Sequence, residues 1–168
     1  MILVDTSAWV EFLRDTGSPV CTRVDELLEG EMATCDPIRM EVLAGARDES
    51  HLNDLRRLLA RASVIDLMSG DYDDAAVIYR TCRRRGETVG KLIDCLIGAV
   101  AIRADVPLLQ ADSDFDVLAR AHLAAVGPRV AVSRAPKPAE GTPSQCQPLV
   151  HRGYVGRYAA ADDRRVHA

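Results

Sequence analysis

The feature that most limits the fold of this chain is an alternation of short apolar runs with helix-like hydrophobic patterns. An alternation of this kind is typical of a parallel sheet covered by helices. It predicts an α/β fold whose functional site lies outside the carboxyl ends of the strands. The strand-like runs are residues 2–5, 32–34, 63–67, 106–110 and 129–133, and the helical patterns begin near Ser7 and then cover 20–28, 36–46, 51–60, 72–85, 91–103 and 114–125.

The regular pattern stops near residue 134. Residues 135–168 contain four of the eight prolines and show neither helical nor strand periodicity. Such a segment cannot bury enough apolar surface to offset the entropy that it would lose on ordering. The sequence therefore predicts one domain over residues 1–134, followed by a disordered tail over residues 135–168.

The composition excludes several classes of protein. With 48% hydrophobic residues in a chain of 168, a sizeable core can be buried. The 21 basic and 25 acidic residues give a net charge of −4, so contact with nucleic acid would need a local basic patch. The longest apolar run, residues 92–102, is about half of the ~20 residues that a membrane helix needs, so no membrane association is predicted.

The cysteines and the first residues predict a cytoplasmic protein. The five cysteines are odd in number and form no C-x-x-C pair, so we expect reduced thiols rather than disulfides or a zinc site. The amino-terminal segment reaches Asp5 without a basic region, and no signal peptide is predicted.

Asp94 is the residue whose presence a structural role explains least well. It interrupts the run 92–102, in which every other residue is apolar or glycine, and a helix of that composition should be buried. A buried carboxylate costs several kcal/mol unless it is paired, hydrogen-bonded or metal-bound. An exposed pair with Lys91 would stabilise a helix by only a few tenths of a kcal/mol. We therefore interpret Asp94 as a site residue.

Glu41 is a second candidate, because it lies on an unusual side of its predicted helix. At about 100° per residue, it falls between Ala44 and Gly45, on the side with small residues. The charged residues Arg39 and Arg47 fall on the opposite side. Acidic residues on a packed side are rarely left without a partner, so we interpret Glu41 as part of a site.

Asp5 ends the first strand-like run, at the edge where sites form. It could serve as the cap of the following helix, which is a common role for aspartate. However, Thr6 and Ser7 could cap that helix equally well, so both interpretations of Asp5 remain open at this point.

Three aspartates follow the fourth strand-like run, in the segment 112–116. This segment is not a calcium-binding EF-hand loop, because the required glycine and glutamate are missing. Ser113 and Asp116 have the spacing of a capping box, which explains Asp116. Asp112 has no such structural role, and Asp114 could either complement the helix dipole or bind a ligand.

These acidic residues are expected to converge at one edge of the sheet. Carboxylates that lie close together raise one another's pKa, and a hard divalent cation would relieve the repulsion. Oxygen ligands suit Mg²⁺, with Mn²⁺ as a substitute, and such a site supports phosphodiester hydrolysis by a metal-activated water. The predicted catalytic residues are Asp5, Glu41, Asp94 and Asp112, with Asp5, Asp94 and Asp112 as metal ligands and Asp114 as a possible auxiliary residue.

Four stretches of the sequence resemble the PIN-domain family, and among its members the VapC-type toxin endoribonucleases. Their order and spacing agree with the family across residues 1 to about 133. The resemblance implies a PIN fold, in which helices cover both faces of a central parallel sheet. The stretches are 2–10 (ILVDTSAWV), 37–45 (PIRMEVLAG), 86–99 (GETVGKLIDCLIGA) and 108–116 (LLQADSDFD).

The resemblance also carries functional implications. It implies Mg²⁺-dependent cleavage of single-stranded RNA by the toxin of a type II toxin–antitoxin pair, a homodimer, and neutralisation by a VapB-like antitoxin. It places Thr6 where the family often has a hydroxyl near the metal. One departure is Gln110-Ala111, where relatives commonly have a basic or aromatic residue. The family's acidic quartet falls on the four acids already singled out, Asp5, Glu41, Asp94 and Asp112.

The dense basic run Arg83, Arg84 and Arg85 could complement a helix dipole or contact an RNA backbone. Because an acidic domain that binds a polyanion needs a local patch, we favour RNA contact.

An alternative to the enzyme is a catalytically degenerate PIN module that only binds a protein or an RNA. A phosphoacceptor receiver domain is disfavoured, because the first strand is followed by a single acid and the middle acid lies on a helix. A haloacid-dehalogenase-type phosphatase would need D-x-D at residues 5–7, and Ser7 breaks that motif.

Overall fold

The structure, a computed structural model, describes residues 1–112, residues 115 and 118, and the backbone of residues 132–133. Its five-stranded sheet has the order β3-β2-β1-β4-β5, and each neighbouring pair of strands is parallel. The strands are β1 (Ile2–Val4), β2 (Met32–Thr34), β3 (Ser63–Val64), β4 (Leu108–Leu109) and β5 (Val132–Ser133).

Helices connect these parallel strands, which confirms the predicted α/β fold. The described helices are α1 (Thr6–Leu13), α2 (Pro19–Leu27), α3 (Asp36–Ala44), α4 (Glu49–Leu59), α5 (Ser69–Arg84) and α6 (Leu92–Ala104).

Several of these helices begin where the local sequence supplies a cap. Asp5, Ser18 and Asp48 precede α1, α2 and α4, and each side chain accepts a backbone N–H from the first turn. Pro19 and Pro37 lie in the first turns of α2 and α3, where a missing N–H costs nothing. The sequence therefore determines the positions of these helix starts locally.

The core is centred on β1 and α6. Leu3 and Val4 are fully buried in the core, and β2 and β4 pair with β1 on its two sides. The buried part of α6 extends from Asp94 to Ala101, as its apolar composition predicted, whereas Leu92 at the start of the helix is 60% exposed. Burial of this helix carries Asp94 into the interior.

A buried ion pair joins α5 to α6. The carboxylate of Asp71 is fully buried and accepts hydrogen bonds from Arg103 Nε at 2.6 Å and Arg103 Nη2 at 3.2 Å. It also accepts from the backbone N–H of Met68 at 2.8 Å. Burial alone would raise the pKa of Asp71, but these hydrogen bonds and the guanidinium charge hold it below its usual value. The sequence analysis did not single out either partner.

Strand ends and helix ends account for most differences from the predicted elements. Strand β3 was predicted to run to residue 67 but ends at Val64, and β4 is confined to Leu108–Leu109 within the predicted run 106–110. Helix α5 begins at Ser69, three residues before its predicted start, because Asp71 caps it through the Met68 N–H. The predicted helix 114–125 lies largely outside the described residues, and so does the predicted tail 135–168.

The cysteines agree with the predicted reduced state as far as the structure describes them. Cys21, Cys35, Cys82 and Cys95 are buried, and no disulfide joins any of these four. Burial raises the pKa of the Cys35 thiol to about 11, which keeps it protonated at neutral pH. Within residues 1–112, no helix combines the length and the apolar composition required to cross a membrane.

Candidate active site

Asp5 serves as a helix cap, which is one of the two roles that the sequence left open, and its role as a site residue stays a prediction. It caps α1, because its Oδ2 accepts the backbone N–H of Ser7 at 2.8 Å. The same oxygen accepts the Ser7 hydroxyl at 2.6 Å, and the residue is only 3% exposed. Asp5 follows the central strand β1 and is held rigidly at its carboxyl end.

Ser7 connects the ends of two neighbouring strands. Its hydroxyl donates to Asp5 and accepts the backbone N–H of Ala111 at 2.9 Å. Ala111 lies two residues after β4 and directly before Asp112, so this contact fixes the start of the segment that carries the last predicted acid. No sequence pattern indicates this role, and Ser7 was predicted above as an alternative helix cap.

Glu41 is linked to the same corner of the sheet through Thr6. The Thr6 hydroxyl donates to Glu41 Oε2 at 2.7 Å, and both side chains are half-buried. Thr6 is the residue after Asp5, so the contact brings α3 against the beginning of α1. Thr6 was predicted as an auxiliary residue, and the structure places its hydroxyl on Glu41.

Asp94 lies in the first turn of α6 and is 7% exposed. Its pKa is raised to about 7, chiefly by burial and then by the negative charge of Asp5. Glu41 and Asp112 raise it further, while Lys91 acts in the opposite direction. The repulsion from three other carboxylates shows that the four predicted acids share one local field.

Asp5 belongs to the same field. Burial raises the pKa of Asp5, the hydrogen bonds from Ser7 and the Thr6 N–H lower it, and the charge of Glu41 raises it again. The net shift is upward. Because β1 lies between β2 and β4, its carboxyl end is the point where the strand order changes direction, and ligands of open α/β sheets bind at such points.

The donor set fits a hard divalent cation in its chemistry. The converging groups are carboxylates, which Mg²⁺ and Mn²⁺ prefer, and their mutual repulsion is what a bound cation would relieve. Among the residues that the structure describes, no three His, Cys, Asp or Glu side chains are arranged to hold a metal ion as they stand. The ligand roles of Asp5, Asp94 and Asp112 therefore stay predictions.

The structure gives less information on the remaining predicted residues. Asp114 falls outside the described residues, and Asp112 is exposed at the end of the continuous stretch. Arg83, Arg84 and Arg85 are exposed at the carboxyl end of α5, with the Arg83 guanidinium 5.9 Å from the centre of a tyrosine ring. Their contact with RNA stays a prediction.

A cavity lies next to Glu41, and no sequence pattern predicted it. It has a volume of about 300 Å³ and is bounded by α1, α3, α4 and the loop between α3 and α4. Its lining combines polar and apolar groups from positions too far apart in the sequence to form a recognisable motif. The polar lining consists of Thr6, Arg14, Glu41, Arg47 and His51, and the apolar lining of Val10, Leu13, Val42, Gly45 and Leu55.

Comparison with known sequences gives a consistent result. Residues 2–121 match the family model of the PIN domain. The chain is 48% identical over 126 residues to ribonuclease VapC11 of Mycobacterium tuberculosis, and equally to VapC ribonuclease Mb1587 of Mycobacterium bovis. Each match covers 71% of this chain and 92% of the relative. Ribonuclease VapC32 of Mycobacterium tuberculosis is 34% identical over 109 residues, which are 61% of this chain and 77% of that protein.

Comparison with solved structures supports the same fold. The structure of VapBC2 from Rickettsia felis, bound to a DNA fragment from its promoter, aligns with a TM-score of 0.57 and 17% identity over 69% of this chain and 92% of that one. A toxin–antitoxin complex from Klebsiella pneumoniae aligns with a TM-score of 0.57 and 20% identity over 78% of this chain and 96% of that one.

Proposed function

This chain belongs to the PIN-domain family of the VapC ribonucleases, and from that premise we propose that it cleaves single-stranded RNA as the toxin of a toxin–antitoxin pair. The observation that carries the proposal is the shared field of Asp5, Glu41, Asp94 and Asp112 at the carboxyl end of β1. Four acids brought together from four separate segments cost stability, so a chain gains from them only through chemistry that needs them.

The chemistry that this donor set fits is metal-assisted hydrolysis of a phosphodiester. A bound Mg²⁺, or Mn²⁺ in its place, would lower the pKa of a water and offset the charge that develops on the phosphate. Asp5, Asp94 and Asp112 would hold that ion. The Ser7 hydrogen bonds fix the orientation of Asp5, and burial of α6 fixes that of Asp94.

Glu41 has a different part in this proposal. Its Oε2 is held by Thr6 at 2.7 Å, which leaves Oε1 to accept a proton from the attacking water. The geometry of α1 thus positions the oxygen that would act as the base.

RNA would reach this acidic corner through local cations rather than through the overall charge of −4. We propose that Arg83, Arg84 and Arg85 contact the RNA backbone, because the three guanidinium groups are exposed together at the end of α5. Such contacts bind any sequence, so they would set affinity and not the choice of cleavage site.

We also propose a VapB-like protein antitoxin and a homodimer. The aligned structures are of VapBC2 and of a toxin–antitoxin complex, so the fold is one that assembles with such partners. A guanidinium from the antitoxin would suit the four acids, because its planar fork binds carboxylates bidentately and keeps its charge. It would occupy the oxygens that a cation needs.

The proposal is tested by incubating purified protein with total RNA and mapping the new 5′ ends. Cleavage is expected with Mg²⁺ or Mn²⁺ and not with excess EDTA. Asp94→Asn should abolish it, while Asp36→Asn, which changes an exposed aspartate in the first turn of α3, should not. Undiminished cleavage in EDTA would refute the metal mechanism. If the RNA stays intact under every condition, the result would favour the catalytically degenerate binding module.

A further inference from the structure

The cavity beside Glu41 adjoins the acidic site, with which it shares Glu41. Thr6 and Glu41 line the cavity, and they are also the hydrogen-bonded pair that joins α1 to α3 next to Asp5. Any group that occupies the cavity therefore lies against Glu41, the residue proposed to accept a proton from the attacking water. A ligand bound at the acids could therefore extend past Glu41 into the cavity.

The residues that line the cavity carry an excess of positive charge. Two guanidinium groups, those of Arg14 and Arg47, line it against the one carboxylate of Glu41. Arg14 caps the carboxyl end of α1, and Arg47 lies in the loop before α4. In a chain of net charge −4, this local excess of cations favours an anionic group.

His51 holds Arg47 at the cavity. Its Nδ1 accepts the backbone N–H of Arg47 at 3.1 Å and the side-chain Nε–H at 3.4 Å. Burial, and then the charge of Arg47, lower the pKa of His51, so the ring is neutral at pH 7 and carries its proton on Nε2. The cavity is thus lined by the guanidinium of Arg14 and by an Arg47 that a neutral His51 holds in place.

The remaining wall is apolar. Val10 and Leu13 from α1 face the cavity together with Val42 from α3 and Leu55 from α4. Val10 is 37% exposed, so its side chain is accessible from solvent. A volume of about 300 Å³ is at the lower end of the range for small-ligand pockets. A flat aromatic group with an attached anion matches both parts of this lining.

We propose that this cavity receives one nucleotide of the RNA strand adjacent to the scissile phosphodiester, with its phosphate at Arg14 and Arg47 and its base against Val10 and Leu13. The inference rests on the proposed ribonuclease function. The cavity would then select where the RNA strand is cut, because the nucleotide bound in it is linked covalently to the scissile phosphodiester at the acids.

The first test measures cleavage of a single-stranded oligoribonucleotide that contains a mapped cleavage site. Arg14→Ala and Arg47→Ala should each raise KM about tenfold, since each removes a charge-assisted contact with a phosphate. The matched control is Arg57→Ala, which removes an arginine from α4 that is 74% exposed and does not line the cavity. Its KM should stay within about twofold of the wild type.

The second test asks whether the cavity receives a base. Oligoribonucleotides are made with an abasic residue at one position beside the cut at a time. The abasic residue should lower kcat/KM more at one of these positions than at the others. Gly45→Phe should abolish that difference by filling the cavity. The backbone accepts an added Cβ, because Gly45 has a φ of −76° and the Cβ would meet Val42 O at 3.4 Å and Glu41 O at 4.0 Å. Melting temperatures of all variants identify any that fail to fold.

Binding measurements separate failure of this inference from failure of the proposed function. Anisotropy of a labelled oligoribonucleotide in EDTA reports binding without cleavage. If the wild type binds RNA but never cleaves it, the proposed function fails, and a loss of affinity in Arg14→Ala and Arg47→Ala would still support the cavity. If these variants cleave and bind like Arg57→Ala, the inference is refuted. It is also refuted if they weaken only the binding of an antitoxin, because the cavity then belongs to the protein partner.

Discussion

The hydroxyl of Ser7 accepts the backbone N–H of Ala111 at 2.9 Å, although the two residues are 104 positions apart. The same hydroxyl donates to Asp5 at 2.6 Å. One oxygen therefore fixes the carboxylate at the end of β1 and the backbone that leads from β4 to Asp112. Two of the predicted ligands depend on this contact for their relative position.

Ser7→Ala should accordingly reduce cleavage by about 10- to 100-fold, the usual effect of removing a group that orients a metal ligand. Asp5 still accepts the backbone N–H of residue 7 and so still caps α1, and most of the stability should remain. Kinetics and a melting curve of the purified variant check this. Ser18→Ala is the matched control, since it removes the side-chain cap of α2 at a cost of about 1 kcal/mol. Equal activity in the two variants would show that Ser7 has no positioning role.

Asp94→Asn should separate stability from activity. It removes a buried charge that is repelled by Asp5, Glu41 and Asp112, so in EDTA the melting temperature should rise by a few degrees. Mg²⁺ should then raise the melting temperature of the wild type and leave that of the variant unchanged. A variant that is less stable than the wild type in EDTA would contradict the electrostatic interpretation of this residue.

Asp71→Asn should destabilise the fold without affecting the chemistry. It leaves Arg103 without its charged partner at a position that is only 28% exposed. We expect a loss of about 2–4 kcal/mol in the free energy of unfolding, moderated because the guanidinium still reaches water. Urea unfolding measures it. Arg23→Ala, which breaks the exposed pair with Glu26, should cost less than about 0.5 kcal/mol.

The same ion pair should give stability a defined dependence on pH. The pKa of Asp71 is lower in the folded protein than its ordinary value of 3.8. The unfolded chain therefore takes up the proton first as the pH falls, and the stabilisation present above pH 3.8 is lost towards the lower folded value. The difference in urea midpoint between the wild type and Asp71→Asn should be constant above about pH 5 and narrow below it. A difference in urea midpoint that grows as the pH falls would contradict a lowered pKa of Asp71.

Thr34→Val should stabilise the protein. The Thr34 side chain is fully buried, and its hydroxyl has no hydrogen-bond partner among the described residues. Replacing the hydroxyl with a methyl group of similar shape should add up to about 1 kcal/mol to the free energy of unfolding. Thr34→Ser keeps the hydroxyl, loses the methyl group, and should be less stable than the wild type. A fall in the melting temperature of Thr34→Val would indicate a partner for the hydroxyl.

The parts of the site that could be predicted are those in which a residue conflicts with its own local pattern. Asp94 was detectable because a single charge interrupts an apolar helix, and Glu41 because it lies on the packed side of α3. Asp5 could be located but its role could not be decided, and the structure shows that it both caps α1 and joins the acids. These conclusions needed only periodicity and the cost of burying charge.

The parts that could not be predicted depend on contacts between distant segments. Asp71 has the pattern of an ordinary first-turn acid, and its partner Arg103 lies 32 positions later. The contact between Ser7 and Ala111 has no sequence signature either. Arg14 and Arg47 are unremarkable surface charges until α1 and α4 enclose a cavity between them. Short-range patterns contain no information about such pairs.

The central position of β1 also affects how the protein folds. Leu3 pairs with Leu108, so the strand that carries Asp5 cannot complete its hydrogen bonds until a segment about a hundred residues later has been added. Contacts of such long sequence separation slow folding, because the loop must close before the pairing can stabilise it. Asp112 therefore cannot join the other acids before β4 has paired with β1. A partly synthesised chain contains Asp5 and Glu41 but no assembled site, which delays hydrolytic activity until the domain is complete.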